Sequence, residues 1–160
     1  MTDVELAPYT AADRDWLVGR HRALYARDEG FDESFPALVE EILIAFEAEH
    51  DAHRERGWIA REDGARLGSI FCVRLDDETA KLRLFLLEPE ARGKRLGQRM
   101  LDTCMAFARA AGYRRIVLWT HESHRAACAL YARNGFDLLR SEAKVSFGRA
   151  VVEQHWDRAL

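Results

Sequence analysis

Leu84-Phe-Leu-Leu-Glu-Pro-Glu-Ala-Arg-Gly-Lys-Arg-Leu-Gly97 carries an apolar run into a basic, glycine-bearing turn, and an amphipathic segment follows. Read as strand, turn and helix, this stretch is an anion site. The first N–H groups of a helix have no intrahelical partner, they point outward together, and the helix dipole adds positive charge at that end. Arg92, Lys94, Arg95 and Arg99 add full charges, while Gly93 and Gly97 remove side chains where a phosphate chain would approach the backbone. An ordinary βα turn with a solvated charge cluster fits the same residues, so the surrounding chain has to decide.

Downstream, Leu96, Met100, Leu101, Cys104, Phe107, Ala108 and Ala111 form an apolar stripe at helical spacing, and Gly112 ends it. Arg115 to Thr120 then reads as a buried strand, a short helix runs from about Ser123 to Asn134-Gly135, and two strands follow at roughly 137–146 and 151–160. Upstream the period is two. Trp58 to Glu62, Leu67 to Leu75 and Ala80 to Leu87 are separated by Asp63-Gly64 and Asp76-Asp-Glu78, as in an antiparallel meander. Before it stand a short strand near Val4–Thr10 and two helices. The first presents Trp16, Leu17, Ala23 and Leu24 on one face and stops at Gly30; the second is capped by Asp32 or Ser34, with Phe35, Leu38, Val39, Ile42, Leu43 and Phe46 at helical spacing. The expected fold is α+β, one mixed sheet of six or seven strands with four helices, spanning 1–160 as one domain. Parallel pairing is demanded only by the βαβ unit from 80 to 120, whose right-handed crossover puts the helix N-terminus at the carboxyl edge of the sheet.

The composition, 48% apolar and 32% charged, is that of a globular domain. No apolar run approaches the ~18 residues of a membrane span, and the N-terminal residues carry no secretory pattern. A cytoplasmic location without membrane association is expected. Cys72, Cys104 and Cys128 have no metal-site spacing and read as small core residues. Charge is unevenly spread: residues 28–55 hold ten acids against Arg54 alone, whereas residues 92–125 hold eight bases against Asp102 and Glu122. The bases cluster at one helix start rather than along a face interleaved with aromatics, so no nucleic-acid partner is expected. His50 and His53 lie on an acidic helix end, His121-Glu-Ser-His124 is one residue short of a zinc-protease pair, and the turn lacks the Gly-Lys-Ser/Thr of a nucleotide P-loop. No metal is expected.

The element order, the Arg92-Gly93-Lys-Arg-Leu-Gly97 turn and Leu130-Tyr131-Ala-Arg-Asn-Gly135-Phe136 together resemble the GNAT superfamily of acyl-CoA-dependent N-acetyltransferases. The family's turn pattern is Gln or Arg, two residues, Gly, one residue, then Gly or Ala; Arg92 and Gly97 fit it, and Arg95 stands where the middle glycine is usual. An ordinary helical conformation at Arg95 would leave its N–H facing a phosphate while its side chain swings clear or adds a contact. Ser146-Phe-Gly148 and Gln154-His-Trp156 are similar to acetyltransferase domains fused to MarR-like DNA-binding regions, although no winged-helix segment stands in this sequence.

The resemblance implies acetyl-CoA as co-substrate, its pyrophosphate on the turn formed by Arg92, Gly93, Lys94, Arg95, Leu96, Gly97 and Gln98. Its pantetheine arm is expected to add to the strand edge at Leu86 and Leu87. It also implies Tyr131 as general acid and the Leu87 N–H as the group that polarises the thioester carbonyl. His124 occupies the place, seven residues before the tyrosine, of an Asn that often bonds the pantetheine; a solvent-facing helix cap is the other reading. The general base is not legible. His121 and Glu122 are candidates by position, His21 and His155 weaker ones, and water could serve. The implied acceptor is a primary amine of a small molecule or peptide, and the acidic arm near the entrance favours a cationic one. A homodimer is left open. A CoA-binding regulatory module without catalysis is the alternative, against which the proton donor at Tyr131 stands.

Overall fold

The computed structural model describes residues 3–160. Strand β1 (Glu5–Pro8) leads through a short 3-10 turn into α1 (Arg14–Glu29) and α2 (Ser34–Glu49). The meander β2 (Arg56–Glu62), β3 (Ala65–Arg74) and β4 (Thr79–Leu87) delivers the chain to α3 (Leu96–Ala110). Then come β5 (Arg115–His121), α4 (Arg125–Arg133), β6 (Asp137–Ser146) and β7 (Arg149–Ala159). The seven strands form one sheet in the order β1-β2-β3-β4-β5-β7-β6, in which only β4 and β5 are parallel. This is the α+β architecture expected from the sequence, with seven strands and four helices.

Two cores lie on opposite faces of the sheet. On one, the α3 stripe of Leu96, Met100, Leu101, Cys104 and Ala108 packs on Ile70, Leu82, Ile116 and Leu118. On the other, Leu17, Val18, Val39 and Leu43 of the first two helices meet Tyr9, Ile59 and Phe71. The buried face of α1 is Leu17, Val18, His21 and Leu24, so the expected stripe is rotated: Ala23 is exposed, and His21 takes an inward position. A polar anchor ties the strand and helix layers together. Asp13, fully buried, accepts from the Thr10 N–H at 2.9 Å, from Arg66 at 2.9 Å and from Arg61.

α1 and α2 cover the sheet only as far as β4, which leaves β5, β7 and β6 open on that face; Trp119 there is 50% exposed. The β6–β7 hairpin reaches back over this end. Its turn is Phe147-Gly148, both with positive φ (54° and 78°), as a two-residue hairpin loop requires. The Asp32 N–H donates to the Phe147 carbonyl at 3.0 Å, and the Phe147 ring packs on Phe31 and Phe35 with centroids 5.0 and 4.9 Å away. No helix among the described residues is long and apolar enough to cross a membrane.

Candidate active site

β4 and β5 pair only at Thr79–Arg115, Ala80–Ile116 and Lys81–Val117. Beyond that point β4 carries a bulge. Ser69 faces Leu86 but Phe71 faces Arg83, so Leu84 and Phe85 together oppose one residue of β3. Leu84 takes φ 48°, and its carbonyl accepts the Ser69 hydroxyl at 2.6 Å. The bulge bends β4 away from β5 and opens a cleft of about 1220 Å³ that runs from the start of α3, past Tyr131, to the side chains of α1.

Alternation along β4 decides which backbone groups face this cleft. The Glu88 N–H donates to the Leu67 carbonyl at 2.8 Å, which makes that pair and the Ser69–Leu86 pair the hydrogen-bonded ones. Leu87, between them, turns its N–H and C=O away from β3 and toward the gap. The two leucines named from the sequence therefore differ: Leu87 offers its backbone to the cleft, whereas Leu86 offers its own to Ser69. Glu88, buried just beyond, accepts from Arg20 at 2.9 Å and fixes α1 against the end of the strand.

At the other end, the first intrahelical bond of α3 runs from the Arg99 N–H to the Arg95 carbonyl at 3.1 Å. The N–H groups of Leu96, Gly97 and Gln98 precede it and have no intrahelical partner. Arg92, Gly93, Arg95, Gly97 and Gln98 line the cleft; Lys94 and the Leu96 side chain turn to a neighbouring hollow beside Val4 and Glu90. Arg95 is not helical. It caps α3 with φ 60° and ψ 14°, the left-handed conformation that suits glycine, so the irregularity in the sequence pattern is also an irregularity in the backbone. Gly93 has φ 78° with nothing within 4 Å of where a Cβ would stand, leaving the approach to the helix clear. The Gln98 side chain is spent in a reciprocal amide pair with Asn134 at 2.7 and 2.9 Å, joining α3 to α4. Free N–H groups, clustered cations and an unfilled approach fit a pyrophosphate.

Tyr131 lines the middle of the cleft and is 3% exposed, and burial pushes its phenol well above its ordinary value of 10. Three histidines gather at the α1 end. The His21 Nδ1–H donates to the Leu17 carbonyl at 2.8 Å, and burial lowers its pKa to about 4. His124, at the start of α4, sits 3.1 Å through Nε2 from Glu29 and 3.2 Å through Nδ1 from the Thr120 hydroxyl. These partners assign a neutral ring with its proton on Nε2, and burial lowers its pKa despite Glu29. His124 is thus neither a free donor nor a solvent cap; it braces β5 and α4 against α1. His121 differs. Its Nδ1 is buried with no hydrogen-bond partner, its ring lines the cleft, and burial lowers its pKa below 6.5. Glu122 is exposed and His155 is held by Glu153 at 2.9 Å.

The acidic arm mostly lies elsewhere. Of its ten acids only Asp28 and Glu29 line the cleft, while Glu47 bonds Tyr9, Glu33 bonds Arg22, and the acids of the exposed face of α2 meet solvent. The sequence reading missed the opposite charge. Arg83 lines the cleft beside Trp119, and Lys81 lies with Nζ 3.3 Å from the centre of the Trp119 ring. Ala-Lys-Leu-Arg-Leu alternation within a central strand was the available signal.

Residues 16–136 match the sequence profile of the Acetyltransferase (GNAT) family. A mycothiol acetyltransferase of Beutenbergia cavernae is 31% identical over 128 residues, 79% of this chain and 41% of that protein. Human N-acetyltransferase 8B is 32% identical over 84 residues, 49% of this chain and 37% of the relative. The chain thus spans less than half the length of these curated relatives. Among solved structures, a GNAT-family acetyltransferase of Staphylococcus aureus superposes with a TM-score of 0.80 at 18% identity, covering 98% of this chain and 99% of that one. A Salmonella typhimurium structure solved with its cofactor acetyl-CoA gives 0.79 at 18% identity, covering 98% and 93%. With the profile spanning most of the fold and the cleft, the chain belongs to the GNAT acetyltransferase family.

Proposed function

We propose that the chain transfers an acetyl group from acetyl-CoA to a primary amine of a small molecule or peptide by direct attack. The observation that carries this reading is the parting of β4 from β5 after Lys81, which leaves the Leu87 backbone facing a cleft between the α3 N-terminus and Tyr131. Acetyl-CoA supplies an activated acetyl thioester. The N–H groups of Leu96, Gly97 and Gln98, with Arg92 and Arg95, hold the pyrophosphate. Leu87 pairs with the pantetheine as a neighbouring strand would, and its N–H polarises the thioester carbonyl. The His121 ring, neutral at pH 7, takes the proton of the incoming ammonium. Tyr131, kept protonated by burial, gives its proton to the departing thiolate, whose basicity the same apolar surroundings raise.

The test is release of the CoA thiol with a panel of amines, comparing the wild type with Tyr131→Phe. Loss of a general acid lowers kcat about 100-fold or more while CoA binding persists. Unchanged turnover removes Tyr131 from the mechanism. CoA binding with no turnover of any amine would make the domain a non-catalytic regulatory module.

A further inference from the structure

The charges on the acceptor side of the cleft are not balanced. Its carboxylates are all engaged: Glu29 by His124 and Ser123, Glu153 by Lys144 and His155, Asp28 by Arg27, and Glu88 by Arg20. Arg83 and Lys81 make no ion pair among the described residues. They stand two positions apart on one strand and so on one face, where each repels the other. Burial and the neighbouring Arg83 charge lower the Lys81 pKa to about 8, and burial lowers that of Arg83. Two adjacent, partly dehydrated cations, whose charge Glu153 and the Trp119 ring offset only at Lys81, destabilise the free protein, and an anion placed at Arg83 would relieve that.

Their position says whose anion it is. Lys81 and Val117 are the last paired residues of the parallel ladder, so Arg83 and Trp119, two residues further on, stand level across the opening. His121, whose ring lines the cleft, is two residues beyond Trp119, about 6.6 Å along the strand. One small molecule can therefore span the cleft from Arg83 to His121. Trp119, 50% exposed, borders the cleft between them, with the Lys81 Nζ over its ring and His155 packed against it.

We infer that the acceptor is an amine that also bears a carboxylate, an amino acid, whose carboxylate is bound by Arg83 with the charge of Lys81 nearby, whose body lies in the cleft beside Trp119, and whose amine faces His121. This rests on the acetyl-transfer reading above and narrows it, replacing the cationic acceptor that the acidic arm suggested. A planar guanidinium grips a carboxylate through two parallel N–H donors, which makes Arg83 the residue that sets specificity.

The experiment pairs each of the twenty common amino acids with its α-amide, and adds spermidine as a carboxylate-free cation, with thiol release as the readout. For the best pair, the amino acid is expected to exceed its amide in kcat/KM by about 10- to 100-fold, the worth of a charge-assisted bidentate contact. Arg83→Gln should bring that ratio to about one, through KM rather than kcat, and should not lower the melting temperature, because it removes an unbalanced charge. Amides or spermidine turned over as well as or better than any amino acid overturn the inference while leaving acetyl transfer standing. So does an Arg83→Gln variant whose ratio is unchanged. Calorimetric titration of amino acids into the CoA-saturated protein separates the remaining cases. Arg83-dependent binding without turnover keeps the carboxylate contact at Arg83 but refutes the transfer reading and with it the amino acid's role as acceptor, and neither binding nor turnover refutes the inference.

Discussion

Replacing Arg95 by glycine separates two roles that the structure gives to one residue. The left-handed backbone at Arg95 costs a residue with a Cβ about 1–2 kcal/mol relative to glycine. Glycine loses more freedom on folding, which returns about 0.5–1 kcal/mol of that gain. The net stabilisation expected for Arg95→Gly is about 0.5–1 kcal/mol, a rise of about 1–4 °C in melting temperature for a domain of this size. Its guanidinium is exposed, so the phosphate contact it can make is screened, and removing it should weaken CoA binding only about 3- to 10-fold. Thermal unfolding and calorimetric CoA titration on the same protein read the two effects, and the affinity difference should shrink as salt is raised. A melting temperature that falls would refute the strain argument. Tighter CoA binding would show that the side chain obstructs the site.

Three further outcomes are expected. If His121 accepts the proton, kcat/KM falls as pH drops through the His121 pKa, below 6.5; His121→Gln should lower kcat/KM about 100-fold and remove that limb, and a persistent limb assigns the base elsewhere. Lys81 has a folded pKa of about 8 against 10.5 when free, so the stability that its charge withholds at pH 7 returns between pH 8 and 10.5; urea unfolding of Lys81→Met should show a gain of about 1–3 kcal/mol at pH 7 that vanishes by pH 10.5, the loss of the Trp119 contact reducing it. Asp13→Ala strands Arg61 and Arg66 beside a buried void, and because both arginines still reach water the loss in denaturant unfolding should be about 2–4 kcal/mol.

The elements were legible because periodicity and turn residues agree. The α3 stripe from Leu96 to Ala108 and the Asp63-Gly64 turn stand where the sequence put them. The bulge at Leu84 was not, since four apolar residues in a row look alike whether the strand is regular or bent. Without the bulge, the different duties of Leu86 and Leu87 cannot be assigned. Arg95 was visible as a departure from the motif, but the helical conformation expected there was wrong: the neighbouring chain holds the backbone in the glycine conformation even without a glycine. Charge counts along the chain misled most. Ten acids in one segment suggested a cationic substrate, yet the fold pairs or exposes nearly all of them. On β4, where the sequence drew no attention, Lys81 and Arg83 make no ion pair among the described residues.

The contact between Asp32 and Phe147 has a consequence for the order in which the molecule is made. It joins a loop near the start of the chain to a hairpin near its end, and β7 must slip between β5 and β6 before that hairpin can dock. Contacts so far apart in sequence form late, because a long loop has to close first. During synthesis, the turn that opens α3 and the helix carrying Tyr131 leave the ribosome before β6 and β7. The nucleotide end of the cleft therefore precedes the acceptor end, whose wall is finished only by the last residues of the domain to emerge.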